Sequence, residues 1–207
     1  MTSTTSNAPL VFTIGHSTHP IERFIELLKQ HRITTIADVR SSPYSRYQPH
    51  FGREILTKFL RDNGIKYVFL GDELGGRGAD RSVFEGGRVQ YHRLAKTSAF
   101  RKGLERIHAG SQTHRIAIMC AEGEPLACHR TILIARELES AGIAVAHIHP
   151  DGLLETHANA IQRLLQEFDL EEPDFFRTPE ERMDEAYTKQ EERIAYVESS
   201  EEIGIAA

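Results

Sequence analysis

Residues 116–142 contain the side chains best suited to chemistry. Their sequence, IAIMCAEGEPLACHRTILIARELESAG, reads as a buried strand, a polar loop and a helix. The loop holds both cysteines of the chain together with titratable neighbours, namely Cys120, Cys128, Glu122, His129 and Arg130. Because thiols, carboxylates and imidazoles supply nucleophiles, proton carriers and metal ligands, this junction of strand and helix is the first candidate for a functional site.

Three chemistries fit this loop, and the first is an anion cradle. Cys128, His129 and Arg130 would form the first turn of a helix, where free backbone N–H groups and the helix dipole favour an anion. Arg130 adds a planar fork that suits phosphate or carboxylate. Glu122 would repel a bare phosphate, so we expect this carboxylate to transfer protons or to contact a base or a sugar.

The second chemistry is nucleophilic attack by a cysteine. A strand, a cysteine, a loop and a helix in that order resemble the layout of rhodaneses and cysteine phosphatases, although the likeness is only architectural. Cys128, at a helix start and beside His129, is a candidate for a lowered pKa. Cys120 could equally end a buried strand as a small apolar residue.

The third chemistry is metal binding by the cysteines and nearby histidines. The chain has no CxxC, HxxxH or HExxH spacing, so we expect no metal site.

The elements that position this loop are strands and helices in alternation. Compact apolar runs predict five strands buried on both faces, at residues 10–14, 35–39, 67–70, 116–120 and 144–148. Amphipathic stretches predict helices between and after them, at residues 20–30, 53–63, 100–108, 128–140 and 157–168. We therefore expect a single α/β domain over residues 10–168, with a mainly parallel five-stranded sheet flanked by helices. The order of the strands cannot be read from the sequence.

Polar residues follow every predicted strand, and ligands of open parallel sheets bind beyond the carboxyl ends of the strands. We therefore expect one shared site at this edge. Glu122 or His16 is the predicted proton carrier, and Cys120 or Cys128 is the predicted nucleophile. The predicted substrate-binding residues are Ser17, Arg40, Ser42, Arg46, Glu73, Gly75, Gly76, Arg77, His129 and Arg130.

Some neighbours of these residues have an expected supporting role. Asp38, two residues before Arg40, is expected to brace that arginine. Tyr44, Tyr47 and Phe51 could stack on a base or fill the core, and for Phe51 the core is the expectation. The pair Gly75–Gly76 either lets the backbone approach a ligand or turns the chain.

The charge is divided along the 207 residues. The net charge is -5, but residues 169–207 hold 13 acidic and 4 basic residues, which leaves the preceding part at +4. A threonine, a proline and two glutamates at 178–181 predict the start of a helix in this acidic segment. Because its apolar stripe is thin, we expect residues 169–207 to be a helical appendage outside the site.

The remaining bulk features limit the class of protein. No apolar run approaches the ~20 residues needed to span a bilayer, so no membrane is expected. The polar N-terminal residues do not resemble a secretory signal, and two cysteines make no disulfide framework. We expect a cytoplasmic protein; the sequence indicates neither a cofactor nor an oligomeric state.

Four segments of the chain resemble a known family. They are TIGHST, ADVRSSPYSRYQPHF, FLGDELGGR and CAEGEPLACHR, which occur in this order between residues 11 and 152. They are similar to the signature segments of the DUF488 family, a family whose function is unknown. The resemblance implies a single small α/β domain with a polar site shared by the four segments, and it supplies no reaction.

Together these observations favour an enzyme that acts on an anionic substrate, a nucleotide or a nucleic acid. The alternative is a non-catalytic nucleic-acid-binding module, in which the arginines hold phosphates and nothing reacts. The pI of about 6.1 counts modestly against a binder of phosphate backbones, which is usually basic throughout.

Overall fold

The computed structural model describes residues 9–44, 47–173 and 175–198. The strands are β1 (Leu10–Gly15), β2 (Thr35–Asp38), β3 (Lys66–Phe69), β4 (Phe84–Glu85), β5 (Arg88–Val89), β6 (Ile116–Cys120), β7 (Ala144–Ile148) and β8 (Leu154–Thr156). The helices are α1 (Ile21–Gln30), α2 (Arg53–Asp62), α3 (Gly71–Leu74), α4 (Tyr91–Leu94), α5 (Ser98–Ser111), α6 (Arg136–Ser140), α7 (His157–Glu167) and α8 (Pro179–Ile194). A π-helical segment, Arg130–Ala135, leads directly into α6.

Six strands form the central sheet in the order β3-β2-β6-β1-β7-β8, and β4 pairs with β5 in a separate hairpin. All neighbours in the central sheet are parallel except β8, which runs antiparallel to β7. The predicted α/β fold and its mainly parallel sheet are therefore confirmed. The sheet has one strand more than predicted, because the three residues of β8 are too short to give an apolar run of their own.

The position of β6 determines where the functional residues lie. This strand comes late in the chain but lies between β1 and β2, with Cys120 opposite Gly15 of β1 and Met119 opposite Asp38 of β2. The residues that follow β1 and β2 therefore flank the end of β6 on both sides.

The sheet is covered on both faces, as its apolar strands predict. Phe12, Ile36 and Met119 belong to one buried cluster, which α1 and α2 cover with residues such as Phe24 and Leu60. The opposite face has a larger buried cluster to which β1, β2, β3, β6 and β7, the π-helical segment, α5, α7 and α8 all contribute. Burying both faces leaves the strand ends as the place where polar side chains can gather.

Two predicted helix ends agree with the structure. Gly64 follows α2 with φ of +73°, a left-handed conformation that glycine adopts without a side-chain clash. Thr178 begins α8 with a full capping box, since its hydroxyl accepts from the Glu181 N–H and the Glu181 carboxylate accepts from the Thr178 N–H.

Helix α8 packs closely on the rest of the protein. Ala186, Tyr187 and Gln190 are buried, and the Gln190 amide donates to the Leu126 carbonyl at 2.9 Å. The acidic helix also meets positive residues of the body, as in the 2.6 Å ion pair between Arg136 and Asp184. The boundary between residues 168 and 169 stays a prediction, but this helix contributes to the core.

A buried chain of hydrogen bonds joins α8 to the sheet. Thr13 Oγ1 lies 2.8 Å from His147 Nδ1, His147 Nε2 lies 3.1 Å from His157 Nδ1, and His157 Nε2 lies 2.9 Å from the Tyr187 hydroxyl. Both histidines are buried. Burial lowers the pKa of His157 to about 4 and that of His147 well below its usual value, so both rings are neutral at pH 7.

The described helices do not include one with both the length and the apolar character required to cross a membrane.

Replacing Tyr187 with phenylalanine tests this chain of hydrogen bonds. Tyr187→Phe leaves a buried nitrogen of His157 without its partner, which costs about 1–3 kcal/mol. We expect urea unfolding to show that loss of stability, while Tyr47→Phe, at a side chain that is 93% exposed, changes stability by less than about 0.5 kcal/mol. Equal stability of the two variants would mean that the hydroxyl has no structural role.

The lowered pKa of His157 predicts a loss of stability in acid. In the unfolded chain the ring binds a proton below about pH 6.5, whereas the folded ring resists it down to about pH 4. Stability is therefore complete above pH 6.5 and falls as the pH drops towards 4, by about 2 kcal/mol at pH 5 from this residue. Urea unfolding at pH 7.5 and pH 5 should show a smaller fall for His157→Gln than for wild type, and His108→Gln, at an exposed position, should keep the full fall.

Candidate functional site

The ends of β1, β2 and β6 surround a cleft of about 430 Å³. The His16 N–H donates to the Cys120 carbonyl at 3.0 Å, and the Val39 N–H donates to the Met119 carbonyl at 3.1 Å, so the three strand ends are held side by side. The following residues predicted as site residues line this cleft: His16, Arg40, Ser42, Gly76, Arg77, Cys120, Glu122, Cys128 and His129. A volume of this size is typical of a small-molecule site.

Arg40 is fixed in the wall of the cleft by Asp38, as predicted. Its Nε and Nη2 donate to the two Asp38 carboxylate oxygens at 2.9 and 2.7 Å, and Nη2 also donates to the Phe51 carbonyl. The Tyr67 hydroxyl donates to the same carboxylate at 2.7 Å. Burial opposes the charge on Arg40, but the contact with Asp38 outweighs it and raises the pKa of the guanidinium.

His16 is held as a neutral ring next to Arg40. Its ring stacks on Phe51, with 4.3 Å between centroids, and Nδ1 donates to the Ser17 carbonyl at 2.9 Å. The Nε2 atom then accepts from Arg40 Nη1 at 3.4 Å. Burial lowers the pKa of His16 to about 4, so the ring is a weak base at neutral pH. Glu122 is therefore the better candidate for the proton carrier.

The cysteines, His129 and Glu122 form one cluster at the base of the cleft. His129 Nδ1 lies 3.7 Å from the sulfur of Cys120 and 3.7 Å from that of Cys128. The Cys128 sulfur also lies 3.1 Å from Oε2 of Glu122. Both cysteines are free and buried.

The cluster favours charge on Cys128 rather than on Cys120. Burial acts to raise the pKa of Cys128, but the Cys120 thiol, Arg130 and His129 together lower it well below the usual value. The hydrogen bond to Cys128, together with burial, raises the pKa of Cys120. Burial and the neighbouring Cys128 raise the pKa of Glu122, so the carboxylate and the Cys128 sulfur compete for a proton.

The sulfur of Cys128 lies at the start of the helix. The backbone N–H of Arg130 points to this sulfur at 3.5 Å, which is the place where we expected a bound anion. The helix begins at His129 and is π-helical over its first turns, a form that is frequent at functional sites.

Two glycines make room for this cluster. A Cβ atom on Gly15 would lie 1.7 Å from the Glu122 carbonyl oxygen, so only glycine lets the loop after β6 approach β1. A Cβ atom on Gly76 would lie 2.9 Å from Cγ of His129, so Gly76 provides the space for that ring. Gly75 lies against the Gly71 carbonyl and Ser41 instead.

Arg130 does not contact the cleft, contrary to our expectation. Its side chain is completely buried, and its guanidinium donates to the carbonyls of Glu122 and Gly123 at 2.6 and 3.1 Å. It therefore holds the loop that carries Glu122, and its burial keeps it from a substrate anion in the cleft. Among the described residues, its partners are backbone carbonyls of this loop and not the Glu122 carboxylate.

Other predicted residues lie elsewhere. Glu73 pairs with Arg106 and, like Gly75, lines a neighbouring cavity. Ser17 is not among the lining residues, and it adopts a positive φ of 49° where its carbonyl accepts from His16. Arg46 lies outside the described residues.

Several residues of the cleft wall were not among the predicted substrate-binding residues. Ser41 follows β2, as does Tyr44, for which stacking on a base was one expectation. Tyr91 comes from the long segment between β3 and α5. Ile194 and Tyr196 come from the acidic tail, so part of the tail that we expected outside the site lines this cleft. The strand-end pattern could have suggested Ser41, but no local signal marks Tyr196.

Cys120, Cys128 and His129 are also the described residues that could hold a metal ion. Their two sulfurs and one imidazole nitrogen all lie within 4.8 Å of one another. Their spacing along the chain follows no metal-binding motif, because the fold rather than a local sequence brings Cys120 to the other two.

A protein-family model described as "Domain of unknown function DUF488" matches the chain over residues 20–136. This range is more than half of the 207 residues and includes the segments around Arg40, Gly76 and Cys128. The chain belongs to the DUF488 family. The comparison with curated proteins gives no match to this DUF488 protein. Because the family description assigns no activity, the chemistry of the cleft has to follow from its geometry.

Arg130→Lys tests the structural role of Arg130 in this DUF488 protein. Lysine keeps the charge but cannot bridge two carbonyls with a planar fork. We expect urea unfolding to show a loss of about 1.5–3 kcal/mol, the usual value of hydrogen bonds to a charged group. Arg61→Lys, on the exposed side of α2, is the matched control and should change stability by less than about 0.5 kcal/mol. Equal stabilities of wild type and Arg130→Lys would contradict this role.

Proposed function

We propose that this DUF488 protein is an enzyme that acts on a small anionic substrate, with nucleotides as the favoured class. The observation that supports this most is the position of Arg40, which is only 5% exposed and yet lines the cleft. Asp38 and the Phe51 carbonyl hold Nε and Nη2, whereas Nη1 contacts His16, which also lines the cleft. A cation fixed in this way is preorganised for an anion.

Residues at the rim complete the proposed anion site. Arg77 is exposed, and its guanidinium stacks over Tyr196 at 4.9 Å, while its backbone N–H donates to Ser41. This second cation matters because Asp38 neutralises part of the charge of Arg40. Tyr44 is 73% exposed beside Ser42 and offers a flat surface on which a base can stack, which favours a nucleotide over inorganic phosphate.

The proposed reacting end of the substrate lies against the cluster of Cys120, Glu122, Cys128 and His129. Glu122 is the proposed proton carrier, because a raised pKa brings a carboxyl group towards the pH at which it both gives and takes protons. Of the two thiols, Cys128 is the one that the surroundings favour in its charged form.

The alternative, a non-catalytic nucleic-acid-binding module, has less support. Such a module requires an open groove of free cations. Many arginines of the described residues are already paired with carboxylates, in the ion pairs Arg23–Glu26, Arg81–Glu198, Arg93–Glu85, Arg106–Glu73, Arg136–Asp184, Arg163–Glu155 and Arg193–Glu167. This pairing leaves fewer free cations for a phosphate backbone.

Calorimetric titration with inorganic phosphate, sulfate, mononucleotides and a short oligonucleotide tests the proposal. We expect a mononucleotide to bind, and Arg77→Ala to weaken its binding by about tenfold, or about 1.4 kcal/mol. Arg61→Ala removes an exposed arginine away from the cleft and should bind as wild type does. Ligands that bind are then incubated with wild type and Glu122→Gln, and products are sought by mass spectrometry.

Turnover by wild type that Glu122→Gln lacks, with binding retained, would support the proposed enzyme. Binding of the oligonucleotide alone, with a steep dependence on salt, would favour the nucleic-acid-binding module. If none of these anions binds, the proposed function is wrong.

A further inference from the structure

The cluster at the base of the cleft combines three donor atoms that suit a thiophilic metal ion. The sulfurs of Cys120 and Cys128 and Nδ1 of His129 all lie within 4.8 Å of one another. Each of the two sulfurs lies 3.7 Å from Nδ1. Thiolate and imidazole are the ligands that zinc prefers in proteins.

The two sulfur–nitrogen distances agree with tetrahedral zinc. Zinc lies about 2.3 Å from sulfur and about 2.0–2.1 Å from nitrogen. A tetrahedral angle between these bonds places sulfur and nitrogen about 3.6 Å apart. Both sulfur–nitrogen distances in the cluster are close to that value, so each thiol already has the spacing from the ring that a shared ion requires.

We propose that Cys120, Cys128 and His129 form a three-ligand site for zinc or a similar divalent cation, with the fourth position open to the cleft. The inference rests on the proposed function of the cleft and names the group that reacts there. Three protein ligands and an open position are the arrangement of catalytic rather than structural zinc sites.

The charge of the cluster fits a divalent ion. Two thiolates and a neutral imidazole balance a charge of +2, so the occupied site is neutral and can be buried at low cost. Both cysteines are buried, and the N–H of Arg130 already points to the Cys128 sulfur. Nε2 of His129 has no hydrogen-bond partner among the described residues, so packing against Gly76 positions the ring.

Glu122 has the position of a proton carrier for a metal-bound water. Its Oε2 lies 3.1 Å from the Cys128 sulfur, and both residues line the cleft. A zinc ion held by Cys120, Cys128 and His129 would supply an activated water, and Glu122 would accept a proton from it. Attack of that water on an electrophilic carbon or phosphorus of the substrate would release the leaving group, which would take the proton from Glu122. The reaction class is hydrolysis, with water as the second reactant.

Cobalt is a spectroscopic probe for this site. The full-length protein is stripped of metal with a chelator, kept reduced with a phosphine, and titrated with Co²⁺ and then with Zn²⁺ in competition. We expect one equivalent to bind, with the intense visible bands of a tetrahedral site and a thiolate-to-cobalt charge-transfer band that Zn²⁺ abolishes. Because the chain has only two cysteines, that band in wild type identifies them as ligands even if a variant does not fold.

Variants locate the ligands. Cys120→Ser, Cys128→Ser and His129→Asn should each weaken Zn²⁺ binding by more than about a hundredfold. Loss of a residue that only supports a ligand costs up to about a hundredfold, and loss of a ligand itself should cost more. Gly76→Ala, which displaces the His129 ring, should weaken binding to a smaller extent. His108→Asn changes an exposed histidine of α5 and should leave affinity unchanged.

Three results would overturn the metal site: no stoichiometric binding, binding that all variants retain, or a Cys120–Cys128 disulfide that forms under these reducing conditions. Phosphate and nucleotide titration of the metal-free protein separates this inference from the proposed function. Anion binding without metal binding overturns the metal site alone. If metal binds but no anion binds to either the metal-free or the zinc-loaded protein, the proposed function is overturned and a metal site of another purpose remains.

Discussion

The geometry of the cleft depends on one buried contact, that of Arg130 with the carbonyls of Glu122 and Gly123. A loop that leaves a sheet exposes backbone carbonyls, and these need partners when they are buried. Arg130 supplies both partners from the helix that follows. The loop is thereby drawn against Gly15, where no side chain could fit. This contact fixes Glu122 and places Cys128 beside Cys120.

The fold was largely predictable because its signals are local. Each long strand is a compact apolar run, and helix ends such as Gly64 and Thr178 have their own chemistry. The order of the strands was not predictable, because it depends on how distant segments pack. The insertion of β6 between β1 and β2 brings His16, Cys120 and Arg40 together, although the chain separates them by up to 104 residues. The short β8 gave no sequence signal, because its three residues are too few to form an apolar run.

The site was predictable only in part, because residue type does not determine which way a side chain points. Arg40 follows the end of β2, and Arg130 follows the loop after β6. Asp38 holds Arg40 in the cleft wall, whereas the carbonyls of Glu122 and Gly123 hold Arg130 outside the lining of the cleft. Glu73 is drawn away by Arg106 on the neighbouring helix α5. Tyr196 reaches the cleft through the packing of α8, which no pattern near Tyr196 indicates.

The acidic tail connects the stability of the fold to the cleft. Gln190 of α8 donates to the Leu126 carbonyl, in the same loop whose other end is held by Arg130. Glu191 accepts from the N–H of Tyr91, which is a further residue of the cleft wall. The loop with Glu122 and Cys128 is therefore held at two points. Arg130 holds it at Glu122, and Gln190 of α8 holds it at Leu126. Rigid support of this kind is what a preorganised site requires, since the reacting groups then need no rearrangement when a ligand binds.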